Sequence, residues 1–100
     1  VKIALTNNTP IKSVGAGTII FSDWTPSSGY VVIVRHKDDI LSVYKNAASV
    51  TKSQGNIVKS GEVIALAGNA NNVQNSGATL HFELWKDGFP IDPTQFINFN

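Results

Sequence analysis

The 100-residue chain contains no cysteine and no methionine. Without cysteine there are no disulfides and no thiolate zinc sites, while the compartment stays open, since an envelope protein lacks cysteine as readily as a cytosolic one. Charge is scarce too: 15% of residues are charged, the net charge is +1, and the eight Lys and Arg residues form no basic run. That removes the electrostatic footprint of a nucleic-acid partner. No apolar run approaches the roughly 18 residues that a bilayer-spanning helix needs. No secretory leader is visible either, because the chain opens directly in the strand-like run Val1-Lys2-Ile3-Ala4-Leu5. Such an opening is expected of a C-terminal fragment of a longer chain, with any targeting segment or coiled coil upstream. The 42% hydrophobic content is that of a globular chain, and residues 1–100 are expected to form one domain around one modest core.

The local pattern is β throughout. Clusters of Gly, Asn, Asp, Ser and Pro punctuate short runs rich in Val, Ile and aromatics. Strands are expected at Val1–Leu5, Ile11–Val14, Thr18–Asp23, Tyr30–His36, Ile40–Tyr44, Val63–Ala67, Thr79–Lys86 and Phe89–Ile91. Turns are expected at Pro26-Ser27-Ser28-Gly29, Lys37-Asp38-Asp39 and Lys86-Asp87-Gly88, the last carrying an Asp-Gly hairpin signal. Ala47–Ser53 is the only segment with a helical option, and Gly68–Gly77 is an Asn-rich polar loop of a length that often carries function.

Alternation then assigns faces. In Thr79–Lys86, Leu80, Phe82 and Leu84 share an apolar face, with Thr79, His81, Glu83 and Trp85 on the other. In Ile40–Asn46, Leu41 and Val43 face one way and Ser42, Tyr44 and Asn46 the other. Pairing the aliphatic rows gives an all-β, two-layer antiparallel barrel-sandwich with one exposed groove. Its core is expected to come from Ile19, Phe21, Val32, Val34, Leu41, Val43, Ile64, Leu66, Leu80, Phe82 and Leu84. On patterning alone, the polar-aromatic rows read first as a solvated sheet face. His36, closing a strand beside a Lys-Asp-Asp turn, reads as a structural hydrogen-bonder.

Several phrases occur in a telling order. They are Asn8-Thr9-Pro10-Ile11-Lys12-Ser13-Val14 with Gly17-Thr18-Ile19; Gly29-Tyr30-Val31-Val32-Ile33-Val34-Arg35-His36; Leu41-Ser42-Val43-Tyr44-Lys45-Asn46; Val58-Lys59-Ser60-Gly61 through Gly68; Thr79-Leu80-His81-Phe82-Glu83; and Gly88-Phe89-Pro90-Ile91-Asp92-Pro93. Each is weak alone. Together they resemble, over nearly the whole chain, the lysostaphin/LytM-type zinc endopeptidases that cut peptide cross-links in bacterial cell walls, and they imply that family's duplicated hybrid motif.

The departures fall on the chemistry. The family segment His-Leu-His-Phe-Glu is here Thr79-Leu80-His81-Phe82-Glu83. By resemblance His81 is the retained zinc-ligand position, Lys2 stands where the family has a ligand Asp, and the remaining ligand His would precede Val1. The two catalytic His positions are Asn46 and Thr79. A catalytic zinc needs three protein ligands and an open position for water. Lys2 opposes the metal's charge, and Asn46 and Thr79 cannot relay protons near neutral pH. The resemblance therefore implies no cofactor and no catalysis, with Glu83 in a supporting role.

Within the family the chain is most similar to the degenerate EnvC- and NlpD-type activators of cell-wall amidases, with Ser22-Asp23-Trp24 and Gly29-Tyr30 carrying the divisome-type likeness. This implies a murein hydrolase activator acting in cell division or separation, in the periplasm or secreted. Its partner would be an N-acetylmuramoyl-L-alanine amidase, bound at a groove of Lys2, Tyr44, Asn46, Thr79, His81 and Trp85. Upstream regions would reach a division-site membrane complex. Three other readings stay open: a peptidoglycan-binding module using Tyr30, Tyr44 and Trp85, a zinc-dependent peptidoglycan endopeptidase, and a biotinyl/lipoyl carrier. The carrier is disfavoured because no Met is present and no Lys lies between Lys59 and Lys86.

Overall fold

A computed structural model of the chain describes residues 2–5, 9–68 and 78–92. Most of the polar loop Gly68–Gly77, together with Asn8 and Pro93 of the family-like phrases, lies outside the described residues. Among the described residues nine strands run in the order β1 (Lys2–Leu5), β2 (Pro10–Lys12), β3 (Gly17–Thr25), β4 (Gly29–Arg35), β5 (Ile40–Val50), β6 (Ile57–Val58), β7 (Val63–Ala67), β8 (Ala78–Lys86) and β9 (Phe89–Ile91). All pairings are antiparallel. The main path is β1-β8-β5-β4-β3-β6, with β9 beside β8, and the β2–β7 pair attached to β5.

β5 organises the molecule. Its first half pairs with β8, from Ile40↔Lys86 to Lys45↔His81, and its second half pairs with β7 from Ala47↔Ala67 to Val50↔Ala65. The change of partner falls at Asn46, whose φ is +71°. There β5 carries one residue more than β4, since Tyr30 pairs with Ala47 and Val32 with Tyr44. This is a β-bulge, which bends a strand and sharpens its twist. Asn suits it because its short polar side chain tolerates the left-handed region. The sheet thus curls over on itself and yields two layers from one strand network. The helical option at Ala47–Ser53 is corrected by this geometry: β5 stays extended to Val50 because Ala47, Ser49 and Val50 have ladder partners on β7.

The turns follow their sequences. Asp87 and Gly88 have φ of +52° and +84°, as a two-residue type I′ hairpin requires of both central positions. The Pro26–Ser28 turn is held by Thr25, whose Oγ1 donates to the Gly29 carbonyl at 3.0 Å and accepts from the Ser28 amide at 3.1 Å. At Gly17 a Cβ would lie 2.3 Å from the Arg35 carbonyl oxygen, so β3 and β4 approach closely only because this residue lacks one.

The core contains Ile19, Val32, Val34, Ile64, Leu80, Phe82 and Leu84, as expected from alternation, together with Ile11, Val58, Ala47, Ala65 and Ala67. Phe21, Leu41 and Leu66 are only half-buried, and Val43 is buried outside that cluster. Tyr44 and Ser42 take the inner positions instead, at 1% and 0% exposure. Tyr44 packs on Phe82 with ring centroids 5.3 Å apart, and the Val14 amide donates to its hydroxyl at 3.1 Å. His36 is architectural: its Nδ1–H donates to the Ala16 carbonyl at 2.8 Å, and its Nε2 accepts from the Ser42 hydroxyl at 2.7 Å.

Candidate partner groove around His81

The sheet register brings the site together. His81 on β8 lies opposite Lys2 of β1 on one side and Lys45 of β5 on the other. Two residues along, Glu83 lies opposite Val43, and two further on Trp85 lies opposite Leu41. Facing residues on neighbouring antiparallel strands share a face. The outer face therefore carries His81, Glu83 and Trp85 with Lys45, Val43 and Leu41.

Glu83 is the hub. Its Oε2 accepts from Lys45 Nζ at 3.1 Å and lies 3.2 Å from His81 Nε2. Its Oε1 accepts from the Trp85 indole N–H at 3.0 Å. Partial burial pushes the Glu83 carboxyl up, but the hydrogen bonds from Trp85 and Lys45 and the charges of Lys45 and His81 together outweigh it. The group is held below the usual carboxylate range. Next to this network lies a shallow groove of about 240 Å³, lined by Ile33, Leu41, Val43, Lys45, Glu83 and Trp85.

The expected groove is partly assembled. His81 and Trp85 are joined through Glu83, and Lys2 occupies the register position opposite His81. Thr79 lies two residues before His81 on β8, opposite Ala4; its side chain, like that of Lys2, lies outside what is described. Asn46 is exposed in the bulge beside Lys45, its amide donating to the Ser28 carbonyl at 2.7 Å. Tyr44 is the correction. It belongs to the core, because its register partner is Phe82 rather than His81. Burial pushes its hydroxyl pKa up, against hydrogen bonds with Ser42, Val14 and Ser13 that pull it down. Lys45, Leu41 and Val43 join the site because the two faces of β5 are the reverse of those expected, and Ile33 of β4 comes with them as the register partner of Val43. A signal was available, since a charge pair between Lys45 and the acidic Glu83 across the strands puts Lys45 on the face of Glu83.

A zinc ion does not fit the described residues. His81 Nε2 lies 3.2 Å from a Glu83 carboxylate oxygen. The Lys45 ammonium is bound to the same carboxylate oxygen, where it would repel a dication. Among the described residues, no three His, Cys, Asp or Glu side chains are grouped so that they could hold a metal. Nor is any described helix long and apolar enough to cross a membrane.

Comparison with known proteins agrees with this architecture. Peptidase family M23 matches residues 1–93, and the chain belongs to that family. Stage II sporulation protein Q of Bacillus subtilis is 36% identical over 83% of this chain and 29% of its own length. Murein hydrolase activator EnvC of Escherichia coli is 30% identical over 95% of this chain and 22% of its own length. Among solved structures, a chain of the SpoIIQ–SpoIIIAH pore-forming complex superposes with a TM-score of 0.77 at 33% identity, covering 90% of this chain and 58% of that one. The chain thus spans less than a third of the length of these curated relatives.

Proposed function

We propose that this M23 domain is non-catalytic and acts in the bacterial envelope, periplasmic or secreted, by binding and activating an N-acetylmuramoyl-L-alanine amidase during cell division or separation. One observation carries the reading: Lys45 and His81 converge on one oxygen of Glu83. The retained ligand position is tied to a carboxylate and an ammonium, an arrangement that keeps a shaped surface without needing a metal. Asn46 and Thr79 stand where the family's catalytic histidines would be, and neither can relay a proton near neutral pH. The relationship to a murein hydrolase activator supports the direction of the proposal.

The test is amidase activity on purified sacculi, with and without the domain. Stimulation by the domain, together with no cleavage by the domain alone, is the expected result. Cleavage of stem-peptide cross-links by the domain alone overturns the non-catalytic reading. Absence of stimulation combined with direct retention on sacculi replaces the activator by a peptidoglycan-binding module.

A further inference from the structure

The outer groove has a composition that distinguishes between the two macromolecules it could meet. Its floor is aliphatic, from Ile33, Leu41 and Val43, and its wall is the ring of Trp85. Its only charged lining groups, Lys45 and Glu83, are bonded to each other, and the Trp85 N–H is spent on Glu83 as well. Sugars and stem peptides are recognised through hydrogen bonds, which this groove would have to break within itself before offering any. Its volume of about 240 Å³ is also below the roughly 300–1,000 Å³ of sites built for whole small molecules. It suits an apolar side chain anchored in a pocket, as in protein–protein hot spots.

The rim adds a charge. Arg35 on β4 is the register partner of Leu41 and is exposed, and among the described residues no carboxylate is paired with it. Lys2 holds the register position beyond His81 at the other end of the site. The Arg35 end of the apolar floor is therefore cationic.

We infer that the occupant is a protein segment presenting apolar side chains beside a carboxylate, seated with its apolar residues between Trp85 and Leu41 and an acidic residue on Arg35. The inference rests on the activator reading and specifies the partner's chemistry. It is tested by NMR titration of the domain with three probes: the peptide Glu-Glu-Leu-Ala-Leu-Glu-Glu, its counterpart with Lys replacing every Glu, and a purified disaccharide-peptide muropeptide. The acidic peptide is expected to shift the Ile33, Leu41 and Val43 methyls and the Trp85 indole. The basic peptide should bind about tenfold more weakly, and Arg35→Glu should remove or reverse that preference. Because Arg35 is exposed, its variant should keep the wild-type spectrum elsewhere; Leu41→Ser gives a second, uncharged disruption of the same floor. Groove shifts produced by the muropeptide at concentrations where the acidic peptide produces none would overturn the inference, as would equal binding of the two peptides or no groove shifts with either. Amidase stimulation separates the two levels. Peptide selectivity without stimulation leaves the groove chemistry standing and removes the activator, whereas stimulation unchanged by Arg35→Glu and Leu41→Ser removes the groove chemistry alone.

Discussion

On the inner side of β5, Ser42 and Tyr44 are fully buried and each meets a neutral partner, whereas on the outer side of the same strand Lys45 remains 32% exposed and meets a carboxylate. The inner bonds are made by fully buried side chains, for which a missing partner is costly. The outer bonds are charged and partly solvated, so they contribute little to stability and can be exchanged for bonds to a partner. One strand therefore has two sides, divided by side-chain parity: its inner side fixes the fold and its outer side carries a partly solvated charged network.

The strongest way to break this division is Tyr44→Ala. It removes the ring that packs on Phe82 and the acceptor of the Val14 amide. It should lower unfolding stability by about 3–5 kcal/mol in denaturant titration. A loss below about 1 kcal/mol would return Tyr44 to the surface. Trp85→Ala should do the reverse, weakening partner binding by about 1–3 kcal/mol in calorimetry while shifting the denaturation midpoint far less than Tyr44→Ala does.

Glu83→Gln sharpens the comparison. It keeps the shape of the hub but removes its charge, and should cost about 1 kcal/mol of stability at neutral pH. The pH dependence has a definite sign. The folded Glu83 carboxyl titrates below its ordinary value of 4.5, so its contribution is present above that value and is lost as pH falls through the lower folded value. The variant should show a shallower loss of stability across that acid range, and an unchanged acid limb would mean that the network is not formed in solution. The smallest expected effect is none: neither excess zinc nor a chelator should move the thermal midpoint of the wild type, because binding to the folded state alone would raise it.

How much of this was legible in the sequence follows from the same parity. Alternation located most of the strands, and Asp87-Gly88 announced its hairpin, because both signals are local. Parity states which residues share a face but not which face turns inward. On β8 the row Leu80, Phe82, Leu84 settled that choice. On β5 the inner row is Ser42 and Tyr44 and the outer row Leu41 and Val43, of which Val43 is buried and Leu41 half-buried, so hydrophobicity did not tell the inner row from the outer. Ser42 and Tyr44 are tolerated inside because partners that include His36 and Val14 satisfy them, and those two residues are 6 and 30 positions away in sequence. The bulge at Asn46 was equally hidden, and with it the extension of β5 into the second layer. The chemistry at Lys2, Asn46, Thr79 and His81 was legible as a set of departures from a family pattern. The Glu83 hub needed the register.

The site is divided between two strands far apart in the chain: Lys45 and Glu83, its bonded pair, are separated by 38 residues. By contrast β3, β4 and β5 form a meander whose turns are only a few residues long. Closing a long loop costs more entropy than closing a short one, and non-local pairing tends to come late in folding. The groove should therefore come into being only when β8 docks, after the folding barrier is crossed. Leu84→Ala in β8 should then act mainly on the unfolding rate, and Val34→Ala in the meander mainly on the folding rate. If stopped-flow kinetics gave both the same partition, the binding surface would be present from the earliest native-like contacts. In the expected case, a newly made or partly opened chain has its scaffold before it has anything to bind with.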